Sequence, residues 1–135
     1  MNYKTEILGV DDDNGTMPEN VRRLEDAVVG HRIVSAERGK GGMVLTLDSG
    51  TQVILADDGD CCAYTELKAF LLHPERIEHV ITGVGTTGGF TQWHIFADMG
   101  DVLELSVDWS CGNPFYYGYG FSIDVIEKEG EEEHR

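Results

Sequence analysis

Within Asp101 to Trp109 the chain alternates without a break from Leu103 onward. Leu103, Leu105, Val107 and Trp109 fall on one side, and Glu104, Ser106 and Asp108 on the other. A period of two is that of a β-strand with one face buried and one face polar, and it cannot be accommodated on a helix. The same period recurs at Ile33 and Ser35 against Arg32 and Val34, at Met43, Leu45 and Leu47, and at Val53 and Leu55. It returns from Phe90 to Phe96, and again at Tyr119, Phe121, Ile123 and Val125. A chain with this many half-buried strands must pair them and cover their apolar faces. The expected fold is α+β and mainly β: a curled or two-layer antiparallel sheet of about six to seven strands with one or two short helices.

Two segments depart from that period. Pro18 to Val29 predicts a short helix, with Pro18 near its start, Leu24 and Val28 on one face and Gly30 as its stop. Leu67, Phe70 and Leu71 stand at the i, i+3, i+4 positions of a second helix, which His73-Pro74 would end because the residue before proline is driven out of helical geometry. Asp48-Ser49-Gly50 closes a hairpin between Met43 and Leu55, and the run Gly39 to Gly42 makes the turn before it. Gly83, Gly85 and Gly88 match the GxGxxG phosphate-binding spacing, but that fingerprint needs a strand before it and a helix after it. With strand alternation following, the segment from Gly83 to Gly89 reads as a long hairpin loop.

The chain of 135 residues is the size of one domain, and it divides by composition into three parts. Residues 1–17 form an acidic N-terminal arm, residues 18–127 a single globular β-rich domain, and residues 128–135 an acidic tail. Asp11, Asp12 and Asp13 do not make a calcium loop: an EF-hand register begun at Asp11 puts Gly15, Thr16 and Arg22 where a ligand, a glycine and a glutamate are required. The 25 acidic residues against 10 basic ones leave a net charge of −15, and the body of the chain stays acidic when arm and tail are set aside. Phosphate backbones are bound through lysine and arginine, so direct nucleic-acid binding is disfavoured, while a basic partner would be attracted. The same charge suits plain solubility or, as an alternative, a DNA-mimic inhibitor. No apolar run spans a bilayer and the first residues lack a signal-peptide pattern, so a cytoplasmic protein with no membrane partner is expected.

No GxSxG or HExxH occurs, and no catalytic residue is assigned. If a helix began at Asp60-Cys61-Cys62, its N-terminal amides would favour a thiolate, which is both nucleophile and metal ligand. Cys111 with Cys61, Cys62 and a histidine, His94 or else His73 or His79, is therefore the alternative thiol or metal site. Adjacent cysteines diverge and no recognised ligand spacing is present, so buried apolar thiols and no cofactor are the ordinary reading. His94 lies on a strand face with Gln92 and Phe96, where Asp108 or Glu104 of the next strand could orient it as a general base. A hydrogen-bonded sheet histidine explains the same pattern.

The run from Cys111 to Phe121, Cys-Gly-Asn-Pro-Phe-Tyr-Tyr-Gly-Tyr-Gly-Phe, is the candidate recognition surface. Glycine permits close approach and tyrosine offers a flat apolar face with a polar tip. Trp93, Asn113, Phe115, Tyr116, Tyr117 and Tyr119 are the binding candidates, with Trp109 as a neighbour; the competing reading is that these aromatics pack the core. Taken with Gly59 to Glu66, Ile81 to Thr87 and Trp93-His94-Ile95, this run resembles a family of small uncharacterised proteins from actinobacteria and their bacteriophages, over about residues 28 to 126. The resemblance implies a domain of unknown function and a setting, with no activity and no catalytic residue to transfer. The expectation is a non-enzymatic binding or interaction protein, a phage accessory factor in that setting, acting on a host protein or small ligand. An exposed sheet edge would also permit a homo-oligomer.

Overall fold

The alternating runs become strands that pair mostly with their neighbours in sequence, with two long-range exceptions, β3 with β9 and β5 with β8. The computed structural model describes residues 17–39, 41–59, 64–110 and 121–127. Helix α1 (Met17–Val28) leads into β1 (Ile33–Gly39), β2 (Gly42–Leu47) and β3 (Gln52–Ala56), and the short β4 (Asp58–Gly59) precedes β5 (Tyr64–Leu72). A 3-10 turn at Pro74–Arg76 precedes β6 (Gly83–Thr87), β7 (Gln92–Ala97), β8 (Gly100–Ser110) and β9 (Ser122–Ile126). The strands form two antiparallel sheets, ordered β1-β2-β3-β9 and β4-β5-β8-β7-β6. The described residues thus hold nine strands rather than six to seven, with one α-helix.

The sheets share one core. Met43, Leu45, Val53 and Leu55 enter it from the first sheet, and Leu67, Trp93, Ile95, Leu103, Leu105 and Val107 from the second. Val21, Leu24 and Val28 of α1 are fully buried at helical spacing, and α1 lies against β6 and β9. Asn20 locks the helix to the last strand: its Nδ2 donates to the Phe121 carbonyl at 2.9 Å and its Oδ1 accepts from the Phe121 N–H at 3.0 Å. Trp93 meets the Phe121 ring edge-on, with centroids 5.4 Å apart. No described helix is long and apolar enough to cross a membrane.

Two expectations fail, for stated reasons. Residues 64–72 are a strand and not a helix, paired along β8 from Tyr64↔Ser110 to Leu72↔Leu103. The register shifts between Leu67 and Ala69, so Lys68 is an extra residue, and Leu67, Phe70 and Leu72 stand opposite Val107, Leu105 and Leu103. A β-bulge inserts one residue into a period of two, and the resulting three-residue spacing imitates a helix. The bulge is held from outside β5: Arg38 Nη2 donates to the carbonyls of Leu67 and Lys68, and the Leu67 N–H donates to Asp57 Oδ1 at 2.9 Å.

The glycine segment is also strand rather than loop. Gly83 to Thr87 pairs residue by residue with Phe96 to Gln92, and only residues 88–91 turn. Gly88, Gly89 and Phe90 take positive φ of 66°, 68° and 66°, a conformation that asks for glycine and is uncommon for phenylalanine. Phe90 is fully buried there, and its carbonyl accepts from Trp93 Nε1 at 2.9 Å. A Cβ on Gly83 would stand 2.7 Å from the Phe96 ring. Close packing and turn geometry account for glycine at 83 and 88, and neither needs a phosphate.

Candidate functional site

Strand β8 organises two polar regions, one at each end, roughly 30 Å apart at strand rise. At its start, alternation would place Asp101 on the core side with Leu103. The register instead runs Ile95↔Leu103 and then Phe96↔Asp101, which makes Val102 an extra residue and turns Asp101 onto the face that carries Glu104. His94 of β7 stands directly opposite Glu104 in the register. Arg76 pins this end, its Nη1 donating to the Asp101 carbonyl at 2.8 Å while its guanidinium packs over Gly100.

The side chains so gathered are His73, Thr87, His94, Asp101 and Glu104. His94 Nδ1 lies 3.2 Å from Asp101 Oδ2, and His94 Nε2 lies 3.0 Å from Thr87 Oγ1. His73 Nε2 lies 2.6 Å from Glu104 Oε2, with Glu75 Oε2 at 3.5 Å from its other nitrogen. One ligand atom each from His94, Asp101 and Glu104 falls within 4.8 Å of the other two. The side chains of His94 and Asp101 are 10% and 11% exposed, those of His73 and Glu104 20% and 28%, so the group opens toward Glu104. Imidazole and carboxylate in one half-buried group can move a proton or hold a cation.

The other end is acidic and open. Tyr64, the first residue of β5, is the direct partner of Ser110, the last of β8. Beside them Asp57, Asp58, Gly59, Tyr64, Thr65 and Glu66 line a depression of about 390 Å³. Tyr64 Oη donates to Asp108 Oδ2 at 3.3 Å. The Asp108 charge, reinforced by burial, by that hydrogen bond and by Glu66, holds the Tyr64 phenol above the ordinary tyrosine range.

Among the residues singled out in the sequence, Trp93 is fully buried in the core and Trp109 is half-buried, its Nε1 donating to the Gly89 carbonyl at 2.8 Å. Cys61, Cys62, Cys111, Asn113, Phe115, Tyr116, Tyr117 and Tyr119 lie outside the described residues, as do the arm up to residue 16 and the tail. The helix invoked to activate the cysteines does not follow them, because β5 begins at Tyr64, and its dipole is removed from the argument. His79 contacts Asp98 at 3.6 Å on the surface. His94 does have carboxylate neighbours: Asp101 Oδ2 lies at hydrogen-bond distance from its Nδ1, and Glu104, one of the two acids expected beside it, stands opposite it in the register. The consecutive apolar pair Val102-Leu103, which breaks alternation one residue after Asp101, is the signal that marks the bulge.

The family model of a domain of unknown function, DUF7448, matches residues 26–123. No curated protein and no solved structure matches the chain.

Proposed function

The chain belongs to the DUF7448 family, a domain of unknown function, and from that premise we propose that it is a non-enzymatic binding protein that engages a basic partner at the Ser110 end of β8. The pairing Tyr64↔Ser110 carries this reading. It joins the chain segment holding Cys61 and Cys62 and the segment of residues 111–120 to neighbouring strand ends, beside a depression edged by Asp57, Asp58 and Glu66. Aromatic side chains from Phe115, Tyr116, Tyr117 and Tyr119 would supply the apolar contact, with Asn113 as a hydrogen-bonding group, and the acid rim would draw lysine and arginine. In the setting the resemblance implies, an actinobacterial cytoplasm or that of a phage-infected host, the partner is a host protein.

Tyr116→Ala combined with Tyr117→Ala tests it. The double variant is expected to unfold cooperatively like the parent, measured by thermal melting, and to lose capture of host protein from lysate. Parental capture should also weaken between about 50 and 300 mM salt, over which the Debye length falls by more than half. Loss of the cooperative transition would assign the tyrosines to packing, and salt-independent capture would remove the acidic rim from the interface.

A further inference from the structure

We propose that His94, Asp101 and Glu104 form a binding site for a divalent transition-metal cation of the zinc class, on the face of β7 and β8 remote from the Ser110 end. The site is independent of the binding role above and uses none of the three cysteines.

The donor set is the first argument. Two carboxylates and two imidazoles, counting His73, are rich in lone pairs and poor in protons: a carboxylate only accepts, and a neutral imidazole donates once. Mixed imidazole and carboxylate ligation suits zinc and its first-row neighbours better than calcium or magnesium, which prefer oxygen alone. Three protein ligands leave one position for water or a ligand atom, and the site opens at Glu104.

The spacing is the second. Two atoms bound to one tetrahedral zinc at about 2.0–2.1 Å stand about 3.3–3.4 Å apart. His94 Nδ1 and Asp101 Oδ2 stand at 3.2 Å, and a Glu104 oxygen falls within 4.8 Å of both ligand residues. Between His94 and Asp101 the cation takes the place of the Nδ1 proton.

The surrounding contacts are the third. A ligating histidine is ordinarily oriented by a hydrogen bond at its other nitrogen, and Thr87 Oγ1 meets His94 Nε2 at 3.0 Å. A hydroxyl can donate or accept, so the ring can give up its Nδ1 proton and keep a partner at Nε2. His73 Nε2 orients the Glu104 carboxylate at 2.6 Å, and Arg76 fixes the bulge that presents Asp101. These groups sit on β6, β7, β8 and the turn that follows β5, so the site forms only when these elements have come together.

The test is titration of the full chain, purified without a metal-affinity column and stripped with chelator, with zinc by calorimetry and with cobalt by visible absorption. One equivalent is expected to bind, with a cobalt spectrum free of thiolate charge-transfer bands. Asp101→Asn and Glu104→Gln should each weaken zinc binding by about 100-fold, and Thr87→Val by about 10-fold, as loss of an orienting contact does. Replacing Cys61, Cys62 and Cys111 together by serine should leave affinity unchanged. Zinc should raise the melting temperature of the parent and not of Asp101→Asn, a comparison within each protein that stays valid if the variant is less stable. A parent that binds no zinc, carboxylate variants that bind as well as the parent, or loss of binding in the triple serine variant would each overturn the proposal.

Discussion

At Asp101 the strand β8 carries an aspartate that is 11% exposed, bonded to a buried histidine and held by an arginine from a distant turn. At Ser110 the same strand ends beside Asp108, Tyr64 and an open acidic depression. One extra residue makes the difference. The Val102 bulge rotates Asp101 under cover and into a group drawn from several strands, whereas from Leu103 onward alternation is unbroken and the acids project where the local pattern sends them. A regular strand displays charge, and an interrupted one can gather it. Acids displayed on the surface suit long-range attraction of a partner, while gathered donors suit a small cation.

The strongest way to break the comparison is to remove what both ends share. Leu103 is fully buried, opposite Ile95 on one side and Leu72 on the other. Leu103→Ala should cost about 2–5 kcal/mol in denaturant unfolding, with tryptophan fluorescence and far-UV circular dichroism moving together. Separate transitions would mean that the two ends are held independently.

A smaller effect, confined to one end, is expected at Arg76. Arg76→Ala removes a charged donor from the Asp101 carbonyl and a cover from Gly100, and should cost about 1–2 kcal/mol. Amide exchange should quicken around Gly100 to Val102 and stay unchanged at Val107 to Ser110. Uniform acceleration along β8 would show that Arg76 supports the whole sheet.

The smallest effect belongs to Tyr64. Its phenol should titrate above 10.0, seen as the absorbance difference at high pH between the parent and Tyr64→Phe, and Asp108→Asn should bring it back toward that value. Since the folded value is raised, the associated stability is full below the unfolded value near pH 10 and is lost as pH climbs through the higher folded value. The group is exposed, so the melting temperature should barely respond. An unshifted phenol in the parent would separate Tyr64 from Asp108 and remove the charge coupling at this end.

Regular alternation was legible wherever it was unbroken. The β2–β3 hairpin, the polar and apolar faces of Leu103 to Trp109, and the apolar stripe of α1 all stand where the spacing puts them. The helix expected over Leu67 to Leu72 failed because a bulge at Lys68 creates three-residue spacing between the core-facing Leu67 and Phe70, and single-strand periodicity cannot tell that from a helical turn. The cluster around His94 was legible only in part for the same reason. Alternation puts Glu104 or Asp108 of the next strand beside His94, but continued past Leu103 it would send Asp101 to the core side, and nothing local links His73 to Glu104, 31 positions away.

The sequence by itself determined that this chain is β-rich and acidic, that its strands bury one face, and that a helix precedes them. These follow from local sterics and from solvation at a period of one or two residues, which every stretch of chain expresses on its own. Only the tertiary structure decided where β5 and β8 bulge, that two sheets form in the orders observed, and that His73, Thr87, His94, Asp101 and Glu104 meet. A bulge is fixed by the strand it faces and by groups such as Arg38, Asp57 and Arg76 that reach it from elsewhere, so its position depends on pairing partners far along the chain that no local pattern contains.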